Sequence, residues 1–433
     1  MNEVEHQAKS ARKVSQILAH LSTKEKNEVL ERVSLNLKSF SRKIVKHNEN
    51  DIKKAREQHH NSSFLKRLHV DTQKVKEMIS MVDSVVRLSD PIGRTVEARL
   101  LDTKLELYKV TTPIGVICAI FEARPDAVVQ ISSLCIKSGN AVILKGGSEA
   151  SRTNGVLVSL IQQALSFIDP KLRHAVQLIE TREDIATLLT MEKEIDLIIP
   201  RGSNTFVNYI QEHTKIPVLG HSEGLCHVYV DKDADIKKAL QICLDSKVQY
   251  PAACNTMETV LIHKDIAKNL LPKLKKIYDA AGVKLRGCER TKKIIDVKTA
   301  TEKDWKTEYN DLILSIKIVD SINDAINHIN IYGSKHTDSI VTENAQAALM
   351  FINDVDSSSV FHNCSTRFSD GYRYGFGAEV GISTNKTHAR GPVGLEGLTI
   401  YKYILKGNGH VVASYSGKDA RPFIHHELKK KWS

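Results

Sequence analysis

Through residues 14–40, VSQILAHLSTKEKNEVLERVSLNLKSF, apolar side chains recur every three or four positions, and TQKVKEMISMVDSVVRL (72–88) repeats that spacing. The period places apolar residues on one helix face, so residues 1 to about 90 are expected to be helical. From about residue 100 short apolar, β-rich runs alternate with helical stretches. A strand in GVICAIF, a helix, the strand AVILK (141–145), a glycine turn and a helix over 151–168 form a βαβ signature. The series continues with AVQLI (175–179), a helix over 182–191, DLIIP (196–200), a helix after Asn204, and strands IPVLG (216–220) and CHVYVD (226–231). An open, mostly parallel sheet covered by helices on both faces follows from this order. After a helix over 233–247, a second series has strands near 257–263, 283–287, 313–319, 338–343 and 357–363. Two α/β units in tandem are the expected architecture.

Length agrees, since 433 residues exceed what one core usually serves. The 41% hydrophobic and 26% charged residues are ordinary for a soluble globular chain. The longest apolar run, IGVICAIF, falls well short of a membrane span. The polar N-terminus has no signal-peptide core and the C-terminus no prenylation or retention tag, so a cytoplasmic protein without membrane association is expected. Seven cysteines without a CxxC pair support neither a zinc site nor a disulfide framework. The net charge of +11 is spread over amphipathic helices, and only LKKKW is a cluster. That pattern fits a solvated basic surface, or a field suited to a phosphorylated ligand, better than a nucleic-acid interface.

Four stretches could carry chemistry. AVILKGGSEAS ends a strand in Lys145, Gly146, Gly147 and Ser148 before a helix, and LIIPRGSNTF does the same with Gly202 and Ser203. Strand ends facing helix N-termini bind anions in such sheets, although a plain structural turn explains either one. GHSEG (220–224) matches the nucleophile elbow of serine hydrolases around Ser222. That motif needs a helix after the serine, and here β-rich LCHVYVD follows. In VQYPAACNTMETVLIH, small Ala252 and Ala253 with Asn255 leave Cys254 sterically open. On these residues alone the commoner outcome is an inert buried cysteine; a nucleophile with backbone N–H groups facing an oxyanion is the alternative. Finally, STRFSDGYRYGFGAEVGISTNKTHARGPVGLEGL combines glycines with Arg367, Arg373, His388 and Arg390. It could grip an anionic substrate, or serve only as a long connection.

PIGVICAIFEARPDAVVQ, AVILKGGSEASRTN, YPAACNTMETVLIH and RFSDG…GFGAEVGISTNKTHARGPVGLEGL together resemble the gamma-glutamyl phosphate reductases, within the aldehyde dehydrogenase superfamily. The resemblance spans nearly the whole chain. It implies an aldehyde dehydrogenase-like α/β fold: a Rossmann-type cofactor domain (1–98 and 113–225), an α/β catalytic domain (226–398), and a small β oligomerisation flap with C-terminal tail (99–112 and 399–433). The implied reaction is NADPH-dependent reduction of γ-glutamyl 5-phosphate to glutamate 5-semialdehyde, the second step of proline biosynthesis from glutamate. Cys254 would be the nucleophile, with Asn255 beside it and Arg124 at the superfamily's oxyanion position. Lys145, Gly147, Ser148, Gly202 and Ser203 would hold the cofactor, and Glu308, rather than Asp311, the nicotinamide ribose. Ser148 replaces a glutamate common in NAD-preferring relatives, which favours NADPH. Where oxidising relatives carry a water-activating glutamate, VLGHSEG has none in register, although Glu223 is near. Arg367, His388 and Arg390 would bind substrate. A homodimer or larger homo-oligomer and a transient complex with glutamate 5-kinase are further expectations, and no metal is implied. The competing readings are an oxidative aldehyde dehydrogenase, a serine hydrolase using Ser222, and an inactive nucleic-acid-binding protein.

Overall fold

The structure, a computed structural model, describes residues 2–179, 183–202, 204–220 and 223–432. The N-terminal segment forms the expected helices, including Glu3–Leu18, Thr23–Ser39, Ser41–Glu57 and Thr72–Arg87. Their starts are set by side chains that accept otherwise orphaned N–H groups: Ser22 and Glu25 make a capping box, and Asp71 accepts from the Lys74 amide. Val29, Leu30, Val33 and Leu37 turn one helix face inward, and Val75, Met78, Val82 and Val85 another.

A hairpin of β1 (Thr95–Asp102) and β2 (Leu105–Pro113) precedes the first parallel sheet. That sheet is built from β3 (Val116–Ile120), β4 (Ala141–Lys145), β5 (Val176–Ile179) and β6 (Leu197–Pro200), in the order β5-β4-β3-β6. Its strands are apolar almost throughout because helices cover both faces. After β3 the chain moves outward on one side to β4 and β5, then returns to the other side at β6. The crevice at the carboxyl ends of β3 and β6 is therefore a topological switch point, where open α/β sheets bind ligands.

The second sheet contains β7 (Cys226–Val230), β8 (Met257–His263), β9 (Lys284–Gly287), β10 (Lys298–Thr299), β11 (Ile313–Val319), β12 (Thr337–Val341) and β13 (Ser359–His362). Its order is β10-β9-β11-β8-β7-β12-β13, all parallel. A two-stranded ribbon of β14 (Gly381–Ser383) and β15 (Gly391–Val393) follows. Then β16 (Thr399–Lys406) pairs along β2, and β17 (His426–Glu427) along β1, giving a separate antiparallel sheet of order β16-β2-β1-β17. No helix among the described residues is long and apolar enough to cross a membrane.

Three sequence expectations are corrected. CHVYVD, read with the first series from the strand order but assigned to the catalytic domain by the family resemblance, is a central strand of the second sheet, between β8 and β12. IPVLG contributes one bridge, Val218 to Ile198, rather than a strand. The hairpin read as 99–112 begins earlier, at Thr95. In addition, Ala378, Val380, Val393 and Leu398, grouped by sequence with the second unit, are buried in the core of the first.

Behind β8, Lys247 donates to Glu258 at 2.7 Å with both side chains almost fully buried. Burial pushes the Glu258 carboxyl up to about 7 against the pull of Lys247, and burial likewise lowers Lys247. A carboxyl whose folded pKa is raised holds an extra proton in the folded state, so its contribution to stability falls as pH rises through the window between about 4.5 and 7. Lys247→Met removes the compensating charge and is expected to cost about 3–5 kcal/mol at pH 8. At pH 5, where the folded carboxyl is neutral, most of that loss should return. Denaturant unfolding at the two pH values checks this; equal losses at both would contradict it.

Candidate active site

Helix Ile236–Val248 ends just before Tyr250 and Pro251, and β8 starts at Met257. Between them the chain folds into consecutive tight turns: the Ala253 amide donates to Tyr250 O (3.2 Å), the Thr256 amide to Ala253 O (2.9 Å), and the Thr256 hydroxyl to Tyr250 O (2.7 Å). Cys254 sits at the crest, partly exposed. The fully buried cysteines differ in exposure, and burial raises the thiols of Cys118 and Cys243 to about 12 and that of Cys226 well above its ordinary value.

The loop is braced from three sides. Cys226 donates its thiol to the Cys254 carbonyl at 3.3 Å. Asn255 donates from Nδ2 to Ser369 O at 2.8 Å, while its Oδ1 is buried without a hydrogen-bond partner. Gly224 lies flat against Cys254, where a Cβ would stand 2.2 Å from the carbonyl oxygen and 2.6 Å from Cα. Glycine is required here by close approach of two backbones.

Facing the loop are arginines from both units. Arg124, after β3, pairs with Asp126 at 3.3 Å, and Asp126 also meets Lys74 at 3.5 Å. Arg201, directly after β6, lies 3.9 Å from Glu379, whose other oxygen accepts the Gly371 amide at 2.8 Å. Arg367 is buried, donates from Nε to Gln249 at 2.9 Å, and lies over the Tyr250 ring at 5.9 Å. The site thus presents a partly exposed thiol among guanidinium groups, an arrangement suited to a nucleophile that meets an anionic substrate.

Residues 1–286 match the aldehyde dehydrogenase family. The chain is 52% identical to gamma-glutamyl phosphate reductase of Pelotomaculum thermopropionicum over 100% of its own length and 98% of that protein. It is 51% identical to the protein of the same name from Methanococcoides burtonii, covering 100% of this chain and 98% of the relative. The crystal structure of gamma-glutamyl phosphate reductase from Thermotoga maritima superposes with a TM-score of 0.92 at 39% identity, covering 95% of this chain and 100% of that one. The chain belongs to the gamma-glutamyl phosphate reductase family, within the aldehyde dehydrogenases. The α/β fold of this family is the one expected from sequence.

Within that family fold, the remaining candidates fall into two groups. Lys145 ends β4, almost fully buried, and donates from Nζ to Gly146 O at 2.8 Å. Gly146, Gly147 and Ser148 form the turn after it. Glu149, passed over in the sequence reading, folds back on that turn and accepts the Ala123 amide at 2.9 Å, tying it to the loop after β3. Gly202 follows β6 and packs beside Phe206 and Glu122. Ser203 and Ser222 lie outside the described residues. Glu308 is half-buried, and its charge acts on Cys226 and Glu258. Asp311 is exposed and accepts the Leu312 amide.

His388 and Arg390 are engaged away from the loop. His388 Nε2 meets Gly397 O at 3.0 Å, and Arg390 donates to Asp356 at 3.1 Å. Both line a cavity of about 470 Å³ together with Leu88, Arg94 and Phe376. Arg201 and Glu379 are, with Glu149, Gly224 and Cys226, residues of the site that sequence reading missed.

Gly224→Ala tests the brace on Cys254. The clash is with backbone, which cannot yield cheaply, so the variant is expected to lose about 1–3 kcal/mol of stability. Iodoacetamide should also alkylate Cys254 at an altered rate while Cys364 keeps its own. Mass spectrometry of the two peptides reads this, and an unchanged Cys254 rate would refute the contact.

Proposed function

We propose that this chain reduces L-γ-glutamyl 5-phosphate to L-glutamate 5-semialdehyde with release of phosphate, using NADPH, as the second step of proline biosynthesis from glutamate. The observation that carries the reading is the partly exposed Cys254 on a braced loop facing arginines, in a chain of this family. The Cys254 thiolate attacks the acyl carbon, the carbon–oxygen bond to phosphate breaks with its electron pair, and a thioester remains. When bound, the cofactor supplies the hydride that reduces this thioester. The carbon–sulfur bond then breaks, returning the thiolate and releasing the aldehyde. Asn255 holds the loop, and Arg124 steadies negative charge on the acyl oxygen or the leaving group.

The turns at the ends of β4 and β6 suit a nucleotide, because they flank the switch-point crevice and carry a buried ammonium at Lys145. Lys145, Gly147, Ser148, Gly202 and Ser203 would hold it, with Glu308 at the nicotinamide ribose. A methanocaldococcal glyceraldehyde-3-phosphate dehydrogenase with this fold was crystallised with NADP, at a TM-score of 0.68 and 14% identity. Ser148 favours the phosphorylated cofactor in this chain. Arg367, His388 and Arg390 are assigned to the substrate, of which Arg367 stands against the Cys254 loop.

A cytoplasmic homodimer or larger assembly belongs to the same reading. Strand β16 is an outer strand with Tyr401, Tyr403 and Leu405 exposed, and a second copy adding a strand there would cover both its backbone groups and these side chains. A transient complex with glutamate 5-kinase would shorten the path of a labile acyl phosphate.

The reverse reaction supplies the test. With glutamate semialdehyde, inorganic phosphate and NADP, the protein should reduce the nucleotide. Cys254→Ala should lower the rate at least about a thousand-fold, and Ser222→Ala should leave it unchanged. Oxidation that proceeds equally well without phosphate would instead support an ordinary aldehyde dehydrogenase.

A further inference from the structure

Arg201 is the least explained charged group near Cys254. It is the first residue beyond β6, and its amide donates to Ile120 O at 2.7 Å, which fixes its backbone at the end of β3. That is the switch-point crevice, with the Arg124 loop on the adjoining strand. Its Nη1 is buried and has no hydrogen-bond partner. A buried guanidinium N–H without an acceptor is costly, and a bound anion would remove that cost.

The carboxylate nearest to Arg201 competes weakly for it. Glu379 stands 3.9 Å away, beyond hydrogen-bond reach, and is already accepting the Gly371 amide. Burial also pushes the Glu379 carboxyl upward, against the pull of Arg201. Asp126, the other acid of the cluster, is shared by Arg124 and Lys74. Neither acid is therefore committed to Arg201 by a hydrogen bond.

The same frame leads to the thiol. Glu379 holds Gly371, and two residues earlier Ser369 O receives Asn255, the neighbour of Cys254. Burial lowers the Arg201 guanidinium and the neighbouring Arg124 lowers it further, against the smaller opposing pull of Glu379, Asp126 and the Cys254 sulfur.

Building on the proposed reductase reading, we propose that Arg201 is the principal binding group for the phosphate that Cys254 displaces. A phosphate offers several acceptor oxygens to the planar donor fork of a guanidinium. In the forward direction the fork would bind the acyl phosphate and then stabilise the departing phosphate as the carbon–oxygen bond breaks. In the reverse direction it would hold inorganic phosphate for attack on the thioester.

Two measurements test this. In the reverse reaction, Arg201→Gln should raise the KM for phosphate by about ten-fold or more and leave the KM for semialdehyde within about two-fold. Arg201→Lys keeps the charge without the fork, so it should fold if the neutral variant does not, and should show a smaller rise in the same constant. Independently of turnover, inorganic phosphate should slow iodoacetamide alkylation of Cys254 in the unmodified protein, and Arg201→Gln should abolish that protection. A wild-type phosphate KM, or intact protection, in folded Arg201→Gln overturns the inference. So does a rise confined to the semialdehyde KM, which would assign Arg201 to the substrate carboxylate. An unmodified protein with no phosphate-dependent nucleotide reduction overturns the reductase reading itself, an outcome visible before any variant is made.

Discussion

The carboxylate of Glu379 stands where the chain passes from the second unit into the core of the first. One oxygen accepts the Gly371 amide and the other faces Arg201 at 3.9 Å, which brings the segment behind Cys254 up to the carboxyl end of the first sheet. The chain after Gly371 crosses over: Ala378 and Val380, on either side of Glu379, are buried in the first core. The chain before it, through β13, belongs to the second sheet. Burial of two apolar neighbours thus carries a charged side chain to a place where desolvation opposes it. Its hydrogen bond and the arginine offset that opposition, and the position of Cys254 relative to the switch-point crevice depends on the outcome.

Much of the architecture was legible because each parallel strand is a short apolar run bounded by turn residues, and those runs are readable one at a time. AVILK and METVLIH became β4 and β8 with little change of boundary. Which sheet a strand joins is not a local property. CHVYVD follows the first series in sequence, yet it inserts between β8 and β12, because its partners come from far later in the chain. IPVLG has strand composition but gains one bridge at Val218, since β6 receives only that single contact along its outer side. The ribbon near 378–398 was similarly misplaced: its glycines and arginines suggested a loop of the second unit, whereas its alternating small apolar residues decide where it packs.

The site divides the same way. Cys254 was recognisable from its motif, while its exposure depended on Gly224, Cys226 and Ser369, which no local pattern connects to it. Arg201 carried a signal that went unused. A charged residue that follows LIIP without a break, at a strand end in an open sheet, stands where ligands bind; attention went instead to Gly202 and Ser203 after it. His388 and Arg390 show that a polar segment rich in arginine also serves its own folding, through the bonds to Gly397 and Asp356.

Survival of a thioester in the proposed reaction is a question of which carboxylates can take a proton from water. Burial raises both Glu258 and Glu379, and a raised carboxyl is the kind that general-base catalysis uses. Raised affinity is not sufficient, because the base must also reach the water. Glu258 is almost fully buried and receives Lys247 at 2.7 Å and the Asn310 amide at 3.3 Å. Glu379 is occupied by Gly371 on one oxygen and turned toward Arg201 on the other. Each carboxyl already accepts from donors within the fold, so recruiting either for hydrolysis would cost those hydrogen bonds. Their raised affinity for protons is in this way spent on structure and not on the competing reaction.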